Sequence, residues 1–219
     1  RNLVKLFIPN SIIDYRRRCI AEKTLNRRTN TVSLSQAGQD YWVYGEVFNE
    51  SEGFFLDVGA YDGVLFSNTF ILEKRYNWKG ICIEGNPQTF QKLVANRECK
   101  CIEACVDEVE GEVEFSANHL LGGIVAGDCD NDEAKGETIR VKSMRLDQIL
   151  EAEGAPHVID YLSIDIEGAE DRALLTFPFD KYQFNCITIE RPSDSLRKVL
   201  SENGYLLIKD MPTLDAFYI

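Results

Sequence analysis

The sequence lacks the features of several common protein classes. No stretch of its 219 residues approaches the ~20 apolar residues that a membrane-spanning helix needs. The first residues carry no secretory hydrophobic region, and the chain has no internal repeat or low-complexity tract. No Cys-x-x-Cys pair occurs, and Cys99 and Cys101 are too closely spaced for a zinc knuckle without a second pair. We therefore expect a globular domain without a transmembrane segment.

The sequence has two histidines, and the role of each can be considered in turn. His119 lies in a glycine-containing loop, where it is either a base that reaches over a ligand near neutral pH or a solvated surface residue. His157 follows a proline just before a strand and is expected to be structural. Ser163 stands inside a strand-like run without a glycine elbow or a paired histidine. A hydrolase triad is therefore not supported.

Positive charge is scarce outside the first thirty residues. The net charge is −12, yet residues 1–30 carry eight basic and two acidic side chains, which leaves −18 on the remaining 189 residues. So acidic a body would repel phosphates, and we expect no nucleic-acid partner. The basic arm is either a solvated helix face or a surface for a membrane or an anionic partner.

The seven cysteines are an odd number, and several lie in apolar, strand-like runs: Cys82, Cys101, Cys105 and Cys186. This pattern is typical of buried free thiols in a reducing compartment, and predicts a cytoplasmic protein. The chain begins with Arg1, so we expect a domain of a longer polypeptide or a processed chain.

From residue 54 onward, strand-like and helical patterns alternate. Strands are predicted at about 54–58, 80–84, 100–105, 160–165, 185–190, 205–208 and 214–218, and helices at about 64–75, 87–96, 169–176 and 194–203. This alternation predicts an α/β fold with a mainly parallel sheet and helices on both faces. A short link before the last run predicts an antiparallel final strand. Residues 112–115 and 138–142 predict an added strand pair around a long loop, 116–136.

Two acids flank a glycine turn at the end of the first predicted strand. Gly59 and Gly63 can take positive φ and let the backbone approach a ligand. Dinucleotide folds use such glycines to place amides against a pyrophosphate. Here Asp57 and Asp62 would repel a pyrophosphate, but they suit the ammonium and sulfonium of S-adenosylmethionine.

A further acid, Glu84, ends the second predicted strand, 21 residues past Gly63. At roughly this distance an acidic side chain accepts hydrogen bonds from a ribose diol. The alternative is a structural βαβ unit with solvated acids. The turn and Glu84 together favour S-adenosylmethionine over NAD.

A second acidic cluster follows the strand predicted at 160–165. Asp165 and Glu167 lie two residues apart at the carboxyl end, which predicts that they share a face. Glu190 ends the next strand and is expected to converge with them. The three carboxylates are either a general base with substrate-positioning groups or ligands of a divalent metal. Glu170 and Asp171 are expected to stabilise a helix start.

Six motifs in a fixed order resemble the FkbM family of S-adenosylmethionine-dependent methyltransferases. They are SQAGQD at 35–40, FLDVGAYDG at 55–63, SNTFILE at 67–73, WKGICIEGNP at 78–87, LGGI at 121–124 and DYLSIDIEGAE at 160–170. The resemblance implies a class I methyltransferase fold, a seven-stranded sheet with the last strand reversed, over residues 35–219. Residues 1–34 remain a basic arm or linker.

The resemblance also implies O-methylation of a sugar hydroxyl in a glycan, polysaccharide or glycosylated metabolite. By similarity, the methionine end of the cofactor and its ribose would be held by Asp57, Gly59, Ala60, Gly63, Glu84 and Gly85. The adenine would be bordered by Asn86, Ala104 and Cys105, and a folded-over segment would add Gln36 and Gln39. The candidates for contacting the acceptor or taking its proton are Asp165, Glu167, Glu190 and His119. If a metal binds, the first three of these residues would be its ligands.

Two rival functions follow from the same residues. One is a Rossmann-type nucleotide-sugar oxidoreductase, against which stand the acids beside the turn and a missing third glycine. The other is a methyltransferase-like domain kept as a non-catalytic binding module. A larger glycan-synthesising protein that contains this domain is a further expectation.

Overall fold

A computed structural model describes residues 33–49, 51–131, 137–212 and 214–219, without the side chain of His119. All but the last two residues of the predicted basic arm lie outside the described residues. Within the described ranges no helix has the length and apolar character to cross a bilayer. The six cysteines in these ranges are free thiols; Cys82, Cys105 and Cys186 are buried, and Cys101 is partly exposed.

The strands, in chain order, are β1 (Phe54–Val58), β2 (Lys79–Glu84), β3 (Lys100–Glu103), β4 (Cys105–Val106), β5 (Gly111–Ser116), β6 (Gly123–Ile124), β7 (Thr138–Met144), β8 (Val158–Ile164), β9 (Gln183–Glu190), β10 (Leu207–Asp210) and β11 (Asp215–Tyr218). The helices are α1 (Gln39–Tyr41), which continues as a π-helix (Trp42–Val47), α2 (Phe70–Tyr76), α3 (Pro87–Asn96), α4 (Leu146–Ala152), α5 (Glu170–Leu174) and α6 (Asp194–Glu202). A 3-10 turn spans His119–Leu121.

Seven strands form the central sheet in the order β10-β11-β9-β8-β1-β2-β3. β1, β2, β3, β8 and β9 pair in parallel, whereas β11 is antiparallel to both of its neighbours. This arrangement confirms the predicted α/β sheet with its reversed final strand. Because the strands are parallel, the carboxyl ends of β1, β2, β8 and β9 meet at one edge, where open α/β sheets bind ligands.

The central sheet is buried on both faces. Leu56 and Val58 of β1 belong to one hydrophobic cluster, and Phe55 between them belongs to another. In β2, Ile83 and Cys82 divide in the same way. Alternate side chains point to opposite faces of a strand, so a strand covered on both sides needs apolar residues at every position. This explains why the predicted strands read as unbroken apolar runs.

Two helix predictions are wrong at their starts. The helix predicted over 64–75 begins only at Phe70, because Asp62 and Ser67 accept the amide hydrogens of Val64, Leu65 and Phe70 and hold the chain in turns. The pattern of residues 35–48 also predicts a helix, which Ser35 would cap. In the structure this helix begins after Gly38, which has a φ of 79°.

Helix α4 is missing from the predicted elements, although it buries Leu146, Ile149 and Leu150 at helical spacing. The predicted strand pair is confirmed: β5 and β7 are antiparallel neighbours in a second sheet of order β4-β7-β5-β6. This small sheet carries the chain over the carboxyl edge of the central sheet, since residues of β4, β5 and β6 line the same cavity as the ends of β1 and β2.

Candidate active site

A cavity of about 670 Å³ opens at the carboxyl edge of the central sheet. Twelve residues that the sequence analysis selects line it: Gln36, Gln39, Asp57, Gly59, Ala60, Glu84, Gly85, Ala104, Cys105, Asp165, Glu167 and Glu190. The structure therefore brings the N-terminal motif, both predicted acidic clusters and the region predicted to border the adenine around one space. Its volume lies in the range of pockets that hold cofactor-sized ligands.

Asp57, near the end of β1, is buried and faces this cavity. Its Oδ2 accepts a hydrogen bond from Thr69 Oγ1, and Nη1 of Arg97 lies 3.9 Å away. Burial raises the pKa of Asp57, and the charge of Arg97 and the bond from Thr69 oppose that rise. Asp57 is thus oriented by the protein, and among the described residues its one ion-pair partner, Arg97, is distant.

The glycine turn after β1 packs against the protein itself. Gly59 has a φ of 86°, and a Cβ there would lie 1.8 Å from the backbone oxygen of Asp165. The amides of Gly59 and Ala60 both donate to Ile83 O at 3.0 Å. Gly59 is therefore required by the close approach of β8, in addition to any contact with a ligand.

Asp62 and Gly63, two predicted cofactor contacts, do not line the cavity. Asp62 is buried and its Oδ1 accepts the amides of Val64 and Leu65. Gly63 has a φ of 77°, and a Cβ there would lie 2.7 Å from the side chain of Arg97. The structure assigns both residues to the turn, so the spacing that suggests a ligand contact has a packing cause.

Glu84 ends β2 and lines the cavity. Its Oε2 accepts the amide of Tyr61 at 2.8 Å, and its Oε1 accepts the amide of Asn86 at 2.7 Å and the hydroxyl of Thr89 at 3.0 Å. Burial raises the pKa of Glu84 to about 7. Asn86 lies outside the cavity, because its side chain caps α3 by accepting the amide of Gln88.

Asp165 and Glu167 both line the cavity, but not as residues on one face of an extended strand. β8 ends at Ile164, and Glu167 has a φ of 56° in a tight turn. The amide of Ile166 donates to Glu170 Oε1 at 2.8 Å and holds this turn. The face prediction is therefore wrong in its geometry, although the two carboxylates do meet.

Glu170 does more than begin a helix. Its side chain is buried, it closes the turn through Ile166, and burial raises its pKa to about 8. Asp171 accepts a hydrogen bond from the hydroxyl of Ser193, the cap of α6. Glu170 therefore holds the backbone next to Asp165, and Asp171 links the start of α5 to the start of α6.

Asp165 and Glu190 form a coupled pair of carboxyl groups. Burial, the charges of Glu190 and Glu167 and a hydrogen bond shared with Glu190 hold the pKa of Asp165 well above its usual range. Two carboxyl groups so close ionise in two steps, because the charge of the first opposes ionisation of the second. Above the raised pKa of Asp165, the ionised pair can accept a proton from a reacting group.

Arg191 lines the cavity, and the sequence analysis does not select it. It follows β9 with a φ of 40° and contacts Glu190 at 2.9 Å, Asp130, and Glu167 at 4.0 Å. Within the described chain it is the only basic residue that lines the cavity. The sequence feature that could have identified Arg191 is an arginine directly after the glutamate that ends a strand.

Asp215 and Asn68 also line the cavity without having been predicted. Asp215 begins the reversed strand β11, so its register opposite Glu190 brings it to the carboxyl edge, where Gln39 Nε2 donates to it at 2.8 Å. Asn68 Nδ2 donates to Ser163 Oγ at 2.9 Å. Its Oδ1 is one of two buried side-chain nitrogen or oxygen atoms in the described chain without a hydrogen-bond partner.

The predicted metal trio is divided between two groups of acids whose oxygens lie within 4.8 Å of one another. One comprises Asp130, Glu167 and Glu190, and the other Asp165, Glu170 and Glu190. Such all-oxygen groups suit hard divalent cations. The first group already has the guanidinium of Arg191 as its counter-charge.

The prediction for His119 is not tested by the geometry. Its backbone lies in the 3-10 turn, and its neighbours Asn118, Leu120 and Leu121 line the cavity. The imidazole itself lies outside the described part of the structure, so its role as a base stays a prediction.

Comparison with known proteins agrees with this architecture. The profile of the Methyltransferase FkbM domain family matches residues 57–207. The crystal structure of a methyltransferase FkbM from Methylobacillus flagellatus has a TM-score of 0.53 and 13% identity, and the match covers 95% of this chain and 53% of that one. This chain thus spans about half the length of that protein.

A methyltransferase from Pyrococcus furiosus has a TM-score of 0.47 and 15% identity, with 97% of both chains covered. No curated protein matches the chain. The family match extends over most of the chain and includes the ends of β1, β2, β8 and β9. This chain therefore belongs to the FkbM family of methyltransferase domains.

Proposed function

We propose that this domain transfers a methyl group from S-adenosylmethionine to a hydroxyl group of a carbohydrate. The observation that carries the proposal is the position of Asp57 and Glu84 at the ends of neighbouring strands, facing one cavity. Both are buried, and the one basic residue of the described lining, Arg191, is engaged by carboxylates. Such a lining suits a cationic nucleoside and opposes a diphosphate.

The residues at this edge fit S-adenosylmethionine in chemistry as well as in volume. Asp57 would accept the ammonium group, and Glu84 would accept the ribose hydroxyls. The orphaned Oδ1 of Asn68 is an acceptor in the same lining that lacks a donor. Ala104 and Cys105 would border the adenine, and Gln36 would close over the cofactor. When bound, S-adenosylmethionine supplies an electrophilic methyl group.

The acceptor half of the cavity contains groups that bind hydroxyls and remove a proton. The Asp165–Glu190 pair would take the proton from the acceptor oxygen. Asp215 and Gln39, joined at 2.8 Å, would orient neighbouring hydroxyls. These carboxylate and amide groups match a polyol, which favours a carbohydrate over an apolar acceptor. The acidity of the lining likewise disfavours nucleic acids.

The function is tested with labelled S-adenosylmethionine and a panel of hexosides, deoxyhexosides and uronic acids, with and without EDTA. Label should enter a neutral sugar at an oxygen. Titration with NAD is the negative control: an oxidoreductase would bind NAD, whereas we expect this protein not to bind it. Binding of S-adenosylhomocysteine without transfer to any acceptor would favour the non-catalytic module instead. Inhibition by EDTA would assign a divalent cation to the acidic groups.

We expect the acceptor to be selected by charge. Four carboxylates besides Asp165 line this half (Asp130, Glu167, Glu190 and Asp215), against the single Arg191. A uronic acid would bring a further negative charge into this space, and at an effective dielectric of 20 one like charge at 4 Å costs about 4 kcal/mol before screening. We therefore expect kcat/KM for a glucuronoside to be at least about a hundredfold below that for the matching glucoside. Equal values would contradict the proposed orientation of the acceptor.

Cofactor binding should depend on pH through Glu84. Since burial raises the pKa of Glu84 to about 7, this group is largely ionised above pH 8 and largely protonated below pH 6. Ribose hydroxyls prefer the ionised acceptor, so the affinity should fall as pH decreases, by up to about tenfold per pH unit. Calorimetric titration with S-adenosylhomocysteine from pH 6 to 8.5 measures this. The variant E84Q should bind more weakly and without that dependence, whereas a flat wild-type profile would contradict the assignment.

A further inference from the structure

A buried arginine stands behind the cofactor-facing carboxylate. Arg97 follows helix α3, and its side chain is fully buried. Its Nε contacts Glu73 Oε2, its Nη2 donates to Thr69 Oγ1 at 3.0 Å, and its Nη1 donates to Gly63 O at 3.2 Å. The rings of Phe55 and Phe70 lie 5.3 and 5.9 Å from the guanidinium. Arg97 does not itself line the cavity.

The arginine reaches Asp57 mainly through a hydroxyl. Thr69 accepts from Arg97 and donates to Asp57 Oδ2, which makes a relay of two hydrogen bonds. The direct separation of 3.9 Å between Arg97 Nη1 and Asp57 Oδ2 is longer than a hydrogen bond. Glu73, in close contact with Nε, is therefore the main counter-ion of Arg97.

We infer that Arg97 is a positioning residue for cofactor binding, which holds Asp57 oriented and negatively charged through Thr69 without neutralising it. This inference rests on the proposed function, because it assigns Asp57 to the ammonium group of the cofactor. A direct bidentate pair between Arg97 and Asp57 would cancel the charge that attracts a cation. Because Arg97 pairs mainly with Glu73, it acts on Asp57 through its electrostatic field. The Asp57 carboxylate therefore remains free to bind the ammonium group of the ligand.

The field is needed because burial works against the charge of Asp57. Desolvation raises the pKa of Asp57, and the negative charge of the ionised Cys99 side chain acts in the same direction. Glu84 and Cys82 also interact electrostatically with Asp57. Arg97 and Thr69 are the groups that lower the pKa of Asp57. Without them a neutral Asp57 would offer little attraction to an ammonium group.

Arg97 also donates hydrogen bonds to Gly63 and Thr69 in the loop before α2. Truncation of Arg97 alone would leave Glu73 buried without its partner and could unfold the domain. Replacing both members of a buried ion pair with apolar residues is often tolerated. The double variant R97M/E73M removes the pair together, and R97K keeps the charge but loses the forked contacts. The double variant R172M/D107M is a matched control, since Arg172 and Asp107 form a second arginine–carboxylate pair, 2.8 Å apart, outside the cavity.

Two measurements separate positioning from general structural support. The first is a carbon-13 NMR titration of the Asp57 carboxyl group in the free protein. We expect its pKa to rise in R97M/E73M, and to remain near the wild-type value in R97K and in the control. The second is the Kd of S-adenosylhomocysteine, as a ratio to wild type, between pH 6 and 9. Glu84 titrates in every variant, so its contribution largely cancels in this ratio.

For R97M/E73M the ratio should be at least about tenfold at pH 6.5 and shrink towards pH 9, where Asp57 ionises without help, since one unit of pKa corresponds to tenfold. R97K should show a smaller loss with little dependence on pH. A folded double variant with wild-type affinity, or with the same loss at every pH, would overturn the inference. Failure of the wild type to bind at any pH would instead overturn the proposed function, while the NMR titration still decides whether Arg97 controls Asp57.

Discussion

Asp57→Asn is expected to weaken the binding of S-adenosylhomocysteine by about a hundredfold or more, with the fold retained. The change keeps the shape of the side chain and removes the charge that faces the cavity. Removing one partner of a desolvated, hydrogen-bonded charge pair costs about 2–5 kcal/mol, and each 1.4 kcal/mol is a factor of ten in Kd. Isothermal titration at pH 8, where Glu84 is ionised, measures the effect without a second titration.

The control for this substitution is Asp107→Asn. Asp107 is also buried beside an arginine, Arg172, but it does not line the cavity. Both variants lose a buried carboxylate near a guanidinium. Asp107→Asn should lose at least as much thermal stability as Asp57→Asn, because Asp107 contacts Arg172 at 2.8 Å whereas Asp57 lies 3.9 Å from Arg97. Only Asp57→Asn should lose the ligand. If the two variants bind equally well, Asp57 has no role in recognising the cofactor.

Asp165→Asn is expected to lower kcat by about a hundredfold or more while S-adenosylhomocysteine still binds. The amide cannot take a proton from the acceptor, and a positioned acid–base group contributes about 10²–10⁴ in rate. Asp165 follows β8, whereas Asp57 and Glu84 belong to β1 and β2, so the contacts of those two acids with the cofactor should persist. Single-turnover transfer of labelled methyl, alongside calorimetric binding, separates the two effects.

The pH profile provides a second readout for Asp165. The pKa of Asp165 is raised by burial, by Glu190 and by Glu167, so the wild-type rate should increase with pH through a limb above the usual carboxyl range. Asp165→Asn should lose that limb. Asp160→Asn is the control, because Asp160 lies near the start of the same strand and accepts the amide of Phe54 at the opposite edge of the sheet. Unchanged turnover in Asp165→Asn would remove the assignment and leave the cofactor site intact.

Much of the fold follows from local pattern. The sequence predicts β1 at its observed bounds and α3 over Pro87–Asn96, because β1 is buried on both faces and α3 has a proline at its first turn after the Asn86 cap. The turn after β1 is harder to predict. Asp62 and Ser67 are compatible with a helix in sequence, but their side chains take the amides that a helix would use.

The proposed cofactor site divides into predictable and unpredictable residues in a similar way. Asp57 and Glu84 are predictable because an acid at the end of an apolar run must lie at the carboxyl edge when the strands are parallel. Asp62 and Asn86 have the same polar character nearby, yet neither lines the cavity, and each side chain is directed to backbone amides two residues on. Glu84 also accepts backbone amides but still faces the cavity. Hydrogen bonds over two or three residues decide this, and one-dimensional spacing does not report where a side chain points.

The sequence by itself determined the fold class, the family and the two strand-end acids, because burial on both faces of a parallel sheet leaves a pattern that is local in the chain. Only the tertiary structure decided which distant groups act on those acids. Arg97 reaches Asp57 from 40 residues away in the sequence, and Asp215 meets Gln39 across 176 residues. Such contacts arise from the order of the strands and from the reversal of β11, and a charge acts through space rather than along the chain.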